Sequence, residues 1–582
     1  MLLLGTSVFS QEDLLAKEYV KNGEFEKALI AYQELYNKSA NNNNYFLELV
    51  KTHQQLEQLD QAEALIISQI NRINYPALYV ELGYNYQLKQ NTEQATQNYT
   101  KAIESVATNP NYAYSVGKFF ENRSLLDQAI ATYLKATELK PSLNFNIQLA
   151  RIYGEQGNVE KMFESYLQFI NTNNSYVSTI KRAMSDFITE DADNENNAIL
   201  RGILLKNIQQ TPNLLWNELL SWLFIQQKDY KKAFAQEKAI FNRQPESLNR
   251  IEELAFIAMN DTDYEAAKTI FTYLAETAQN PDVQIGAHYN LLQIDLKTQT
   301  NITAIEATYL ELFNTFGTSI QTLKLQIAYA HFLAFYKQDP KAGTQFLKQS
   351  LELPLSPLEE GQVKLALGDI LVLQEKFNEA LIYFTQIQRN LKNSTLAQEA
   401  RFKVAQTSYY KGDFKWAESQ LKVLKSSTSQ LIANDALDLM LLITDNKFED
   451  STQAALKLYA KADLMAFQNK PLEAIKLLNT ILENYKGQSI EDQALYKQAK
   501  LYENNKDFEK AITNYQRIIA NFKEDILADD AYFSLAQIYE KHLNDPATAK
   551  SYYEQIIFNH QDSIYFVEAR KRFRLLRGDN VN

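Results

Sequence analysis

Cysteine is absent from all 582 residues. Disulfides, thiol catalysis, cysteine zinc sites and a lipid-bearing lipoprotein cysteine are therefore excluded, although the absence does not choose a compartment. Glycine and proline are scarce, at 15 and 11, which suits helices and leaves little material for a glycine-rich phosphate loop; neither that motif nor a nucleophile elbow is found. Of the five histidines, His53, His288, His331, His542 and His560, none lies within metal-ligand spacing of another, so the sequence names no metal and no cofactor. An excess of basic residues is missing as well. The formal net charge of -12 argues against general nucleic-acid binding, which needs Lys and Arg to displace counterions from phosphate. No stretch approaches eighteen uninterrupted apolar residues, so no transmembrane span is expected. Adjacent carboxylates such as Glu359-Glu360 and Asp529-Asp530 point to different sides of a helix, and no catalytic residue is assigned.

What is abundant is apolar and aromatic. With 45% hydrophobic residues, 35 Tyr and 31 Phe, the chain can bury a long continuous spine. Its clearest stretch is Asn111 to Pro141, NYAYSVGKFFENRSLLDQAIATYLKATELKP. Gly117 and Ala129 stand one on each of two antiparallel helices, where their missing bulk lets the backbones approach, while Phe120, Tyr133 and Ala136 fill the remaining contacts and Pro141 ends the second helix. Small, aromatic, Ala, aromatic, Ala and Pro at positions 8, 11, 20, 24, 27 and 32 resemble the tetratricopeptide repeat, a 34-residue helix-turn-helix unit. The resemblance implies an all-α fold, a right-handed superhelical solenoid of about fifteen antiparallel helix pairs, each packed mainly on its neighbours.

Residues 1–10, MLLLGTSVFS, form a short apolar run ending with Val8 and Ser10 and are expected to be the remnant of an export signal. An N-terminal array follows over residues 11–170. Its five units are marked by Ala16, Tyr19, Gly23, Ala28 and Tyr32; by Val50, His53, Ala62 and Ile66; by Gly83, Tyr86, Ala95, Tyr99 and Ala102; by the stretch above; and by Ala150, Tyr153, Met162 and Tyr166. His53 takes an aromatic position and so reads as a packed core histidine, and Met162 in place of Ala is expected to hold its two helices slightly further apart. Residues 171–212 read as an irregular helical joint with a solvated loop at Thr189 to Asn197, and residues 213–355 as degenerate repeats carrying Trp216, Ala255, Ala267, Phe271, Tyr309, Ala330, Ala342 and Phe346. Longer repeats occupy 356–563, starting with Gly368, Ala380 and Phe384, and residues 564–582 supply a capping helix and tail.

The first helices of these later units share a phrase, LAQEARF ending at Phe402, LIANDAL at Leu437, IEDQALY at Tyr496, LADDAYF at Phe533 and YFVEARK at Lys571. It is similar to that of bacterial envelope proteins of the same superfamily, including the accessory protein of the Tol-Pal system and the lipoprotein partner of the outer-membrane barrel assembly machinery. The missing cysteine departs from the lipoprotein. The resemblance implies a non-enzymatic adaptor, exported to the periplasm or envelope, that holds peptide segments or proteins in a concave groove and belongs to a membrane-associated complex. The alternative is a cytosolic chaperone-associated or regulatory scaffold.

One pattern is not demanded by packing. Position 9 of units one to five reads Lys17, Lys51, Tyr84, Lys118 and Arg151, and in the superfamily this position lines the groove. These five are the candidate binding residues, a cationic ladder for an acidic segment or free carboxylate of a partner. The matching positions of the later units are Asp369, Gln406, Asp463, Lys500 and Gln537, which suggests two unlike surfaces. A second basic cluster, Arg570, Lys571, Arg572, Arg574 and Arg577, complements the negative end of the last helix dipole or docks on an acidic partner or membrane surface.

Overall fold

The computed structural model describes residues 4–298, 301–424, 429–447 and 452–579, with the side chains of residues 4–11 and 430 left aside. Among the described residues there are thirty-two α-helices and no strand. Most of the helices pack against the next one in the chain, among them Leu78–Leu88 with Thr92–Thr108 and Ala528–Lys541 with Pro546–Asn559, so the chain is the helix-pair solenoid that its small and aromatic positions predict. By its internal contacts it divides into two units, Met1–Ile270 and Phe271–Asn582.

The pairs form for repeated local reasons. Second helices start on a side-chain cap in many units: Asn91, Asn158, Asp229, Asp339, Asp507 and Asp545 each accept a hydrogen bond from an amide of the first turn. The turn between first and second helix reverses through a residue of positive φ, Gly23 at 75° and Gly157 at 74° but Gln90 at 60° and Lys506 at 59°. Alanine at the crossing points, such as Ala16, Ala28, Ala62 and Ala129, is fully buried. Gly117 is favoured by closeness, because a Cβ there would clash with the hydroxyl end of the Tyr133 ring.

In the first unit, residues 1–3 of the expected export remnant lie outside the described residues, and the backbone is helical over Leu4–Lys21. Met162 is accommodated by its neighbour, since Gly154 carries no Cβ and the thioether sulfur sits 3.0 Å from where one would be. His53 is 8% exposed and its Nδ1 lies 2.8 Å from Oε1 of Gln58, the packed core histidine expected. Residues 171–212 form the helices Val177–Ser185 and Glu195–Gln210. The solvated loop is shorter than its composition suggests: Asn194 caps the second of these helices, and Asn197 is fully buried, donating through Nδ2 to the carbonyls of Thr189 and Asp191 at 2.8 and 2.7 Å. A buried amide that ties its own loop together reads in sequence like a solvated one.

Two features of the second unit depart from simple pairing. The helix Leu323–His331 runs into a π-helical turn, Phe332–Tyr336, before its partner Pro340–Ser350 begins. The helix Gln430–Asn446 has no second helix of its own. Beyond it, Ala454–Phe467 pairs with Pro471–Asn484 and also lies against Thr395–Lys411. The shared phrase is explained by packing. Its alanines, Ala400, Ala436, Ala494, Ala531 and Ala569, are all buried to within 1%. The last helix is Phe566–Arg577, with Ala569 as its buried residue.

Candidate functional site

A side-chain device recurs beneath the faces of the first helices. The position-24 tyrosine buries its ring and sends its hydroxyl to a polar residue near the end of the preceding helix: Tyr133 to Glu121 at 2.6 Å, Tyr99 to Gln87 at 2.8 Å, Tyr553 to Glu540 at 2.7 Å, and Tyr515 to Glu503. Burial followed by the carboxylate raises the Tyr133 phenol well above its ordinary range. The glutamate thus takes a proton donor from below, and it takes cations from above. Glu121 receives Lys118 at 3.1 Å and Arg151 of the next unit at 2.6 Å; Glu503 receives Lys500 at 3.3 Å, and Glu540 receives Arg572 at 3.4 Å. These acceptors were missed from the sequence, although an acid or amide twelve or thirteen residues before the tyrosine was there to be found.

The five candidate binding residues fall into three groups. Lys17 pairs with Asp13 at 2.6 Å, Lys51 pairs with Glu48 at 2.6 Å, and Glu48 also acts on Lys17 through its charge. The hydrogen bond that Lys17 donates to Asp13 is the main reason that the pKa of its amine is raised. Tyr84 is half-buried under the Arg123 guanidinium, 4.3 Å from the ring centre. Arg123 is itself fixed by Glu81 and by Oε1 of Gln54 at 3.1 Å, a clamp that reaches across three helix pairs. Lys118 and Arg151 meet on Glu121. Each of the four cations keeps between 43% and 61% of its side chain exposed while holding an internal carboxylate.

The corresponding face of the second unit closes on itself. Asp369 pairs with Lys403 at 3.1 Å, and Asp463 accepts from Tyr409 at 2.8 Å and pairs with Lys497 at 2.8 Å. Burial raises the Asp369 carboxyl, Lys403 opposing it, and lowers the nearby His331. His331 stacks on Phe335 at 4.4 Å, Phe335 meets Phe467 at 5.6 Å, and Phe467 meets Tyr410 at 6.1 Å. Gln468 donates to the carbonyl of Leu373 at 3.1 Å. First helices separated by several pairs are joined there by aromatic contact, so this side is the inner one and its own side chains fill it. Gln537 accepts from Lys541 at 2.6 Å. Among the described residues no group of three His, Asp or Glu side chains could hold a metal ion.

Two stretches, residues 493–525 and 530–563, match the family model of the tetratricopeptide repeat. These two stretches carry the tetratricopeptide repeat. They coincide with the helix pairs Ile490–Asn504 with Phe508–Asn521 and Ala528–Lys541 with Pro546–Asn559. No curated protein matches. Among solved structures, the chain is similar to Naa15/Naa10 bound to HypK-THB, at 11% identity over 98% of this chain and 97% of that one, with a TM-score of 0.30. It is also similar to the APC/C hetero-tetramer Cut9-Hcn1, at 12% identity over 97% and 96% of the two chains, with a TM-score of 0.25. The described helices include none long and apolar enough to cross a membrane.

Proposed function

We propose that the chain is a non-catalytic scaffold that holds protein or peptide segments along the first-helix face of its first unit. The observation that carries this reading is the contrast between the two units. In the first, Lys17, Lys51, Lys118 and Arg151 stand half-exposed in repeat order. In the second, the equivalent face is occupied by Phe335, Tyr410 and Phe467. The internal carboxylates define the chemistry of capture. An acidic partner segment has to share each cation with Asp13, Glu48 or Glu121, so a single contact is worth only about 0.2–1 kcal/mol and binding accumulates over several.

The test is a charge series at Lys51, Lys118 and Arg151. The triple change to Gln should weaken capture of the partner recovered by crosslinking from native cells, and the triple change to Glu should weaken it about tenfold or more at low salt. The difference should shrink as salt rises. Equal recovery by the Gln variant and the parent at low salt, with helicity unchanged, would leave the cations as internal partners of Glu48 and Glu121 and nothing more. An envelope setting is supported by the likeness of the C-terminal phrase to envelope adaptors, with a cytosolic scaffold as the alternative; fractionation of the native protein separates the two.

A further inference from the structure

Helix Phe566–Arg577 carries a basic cluster that the helix dipole only half explains. Arg574 and Arg577 lie in its last turn, where a cation complements the negative helix end, and both pair with Asp579. Arg572 turns inward to Glu568 at 2.9 Å and Glu540 at 3.4 Å. Arg570 and Lys571 lie in the middle of the helix, beyond the reach of the dipole, and both are exposed. Neither has an ion-pair partner among the described residues.

The side that these two residues share is also apolar. Val567, Arg570, Lys571, Arg574, Leu575 and Gly578 follow at three- and four-residue spacing, which places them on one stripe. Val567 is 77% exposed and Leu575 44%, and Ile564, just ahead of the helix, is 86% exposed, the highest value of any large aliphatic or aromatic side chain described. A single helix stripe is convex and offers a bound peptide only a line of contact. A lipid surface conforms to it, with phosphates at the cations and the acyl boundary at Ile564, Val567 and Leu575.

We propose that this stripe docks the protein on an anionic lipid surface. The probe is a set of vesicles of pure phosphatidylcholine or of phosphatidylcholine with one third phosphatidylglycerol, floated with the full chain at low and high salt. The parent should float with the anionic vesicles alone, and less at high salt. Arg570→Glu with Lys571→Glu should lower the bound fraction about tenfold or more, since two attractions to the anionic surface become two repulsions. Ile564→Ser with Val567→Ser keeps every charge and should lower binding severalfold, which separates surface docking from simple ion attraction. Three results would overturn the proposal: no flotation of the parent, equal competition by soluble glycerophosphoglycerol, or concentration-dependent self-association that the same substitutions abolish while flotation is unchanged.

Discussion

The position-24 tyrosines allow a test of what a buried hydroxyl contributes. Tyr133 donates a hydrogen bond to Glu121, whereas Tyr309 is fully buried against Tyr329 and Phe332 with no hydrogen-bond partner for its hydroxyl among the described residues. Removing a satisfied hydroxyl should cost about 1 kcal/mol, and removing an unsatisfied one should be neutral or stabilising. Tyr133→Phe is therefore expected to destabilise and Tyr309→Phe is not, as read by urea melts of the two variants. Asp492 provides a titrating counterpart. It is 5% exposed, and burial first, with the charges of Asp525 and Asp445 adding to it against the hydrogen bond from the Gln493 amide, pushes its carboxyl up to about 6. The folded chain then holds a proton that the unfolded chain releases at lower pH. Stability conferred by that proton is present below the ordinary carboxylate range and is lost as pH rises towards about 6. Asp492→Asn should remove this slope and be more stable than the parent above that pH by about 1–3 kcal/mol, measured by thermal melts across the range. The tyrosine rings were legible in the sequence as core because they recur at a fixed offset. Their acceptors were not singled out, because a glutamate on a helix surface looks the same whether it faces water or a buried phenol.

At the scale of the helix pair, the repeated reversal is made by a left-handed residue, and glycine fills it at few of the turns. Gln90 and Lys506 adopt φ of 60° and 59° with a side chain attached, a conformation that disfavours a Cβ by about 1 kcal/mol or more. Gln90→Gly and Lys506→Gly are each expected to stabilise by about 0.5–1 kcal/mol. The two sites lie far apart in the chain, so the double variant should show the sum; a shortfall in its denaturation midpoint would mean that the turns are relaxed by some other route. Gly23 marked its turn in the sequence, while the others were hidden because a preference of this size is easily overridden by neighbours. Helix pairs themselves were legible from Gly117, Ala129 and their counterparts, since closeness of two backbones admits few residue types. The solitary helix Gln430–Asn446 was not, for its LIANDAL phrase is that of any first helix, and a missing partner leaves no residue to read. The same holds for the π turn at Phe332–Tyr336, whose apolar residues fit an ordinary helix equally well.

Over the whole chain, most packing joins consecutive helices, but the second unit contains an exception with a mechanical consequence. The ring of Phe335 rests on Phe467, and Gln468 reaches the carbonyl of Leu373, 95 residues back. These contacts tie an early part of residues 331–468 to their end, whereas the contacts of the two pairs spanning Ile490–Asn521 and Ala528–Asn559 reach only the adjoining repeats. Pulled between its termini in an optical trap, the chain should release those two pairs as separate short extensions, each on the order of one 34-residue repeat. The segment 331–468 should instead give way in a single longer jump, because its closing contacts must break before any helix inside it can unwind. Replacing Phe467 and Gln468 together with Ala should turn that jump into a staircase, so that one aromatic contact and one amide decide whether this part of the chain behaves under load as a latch or as a string of beads.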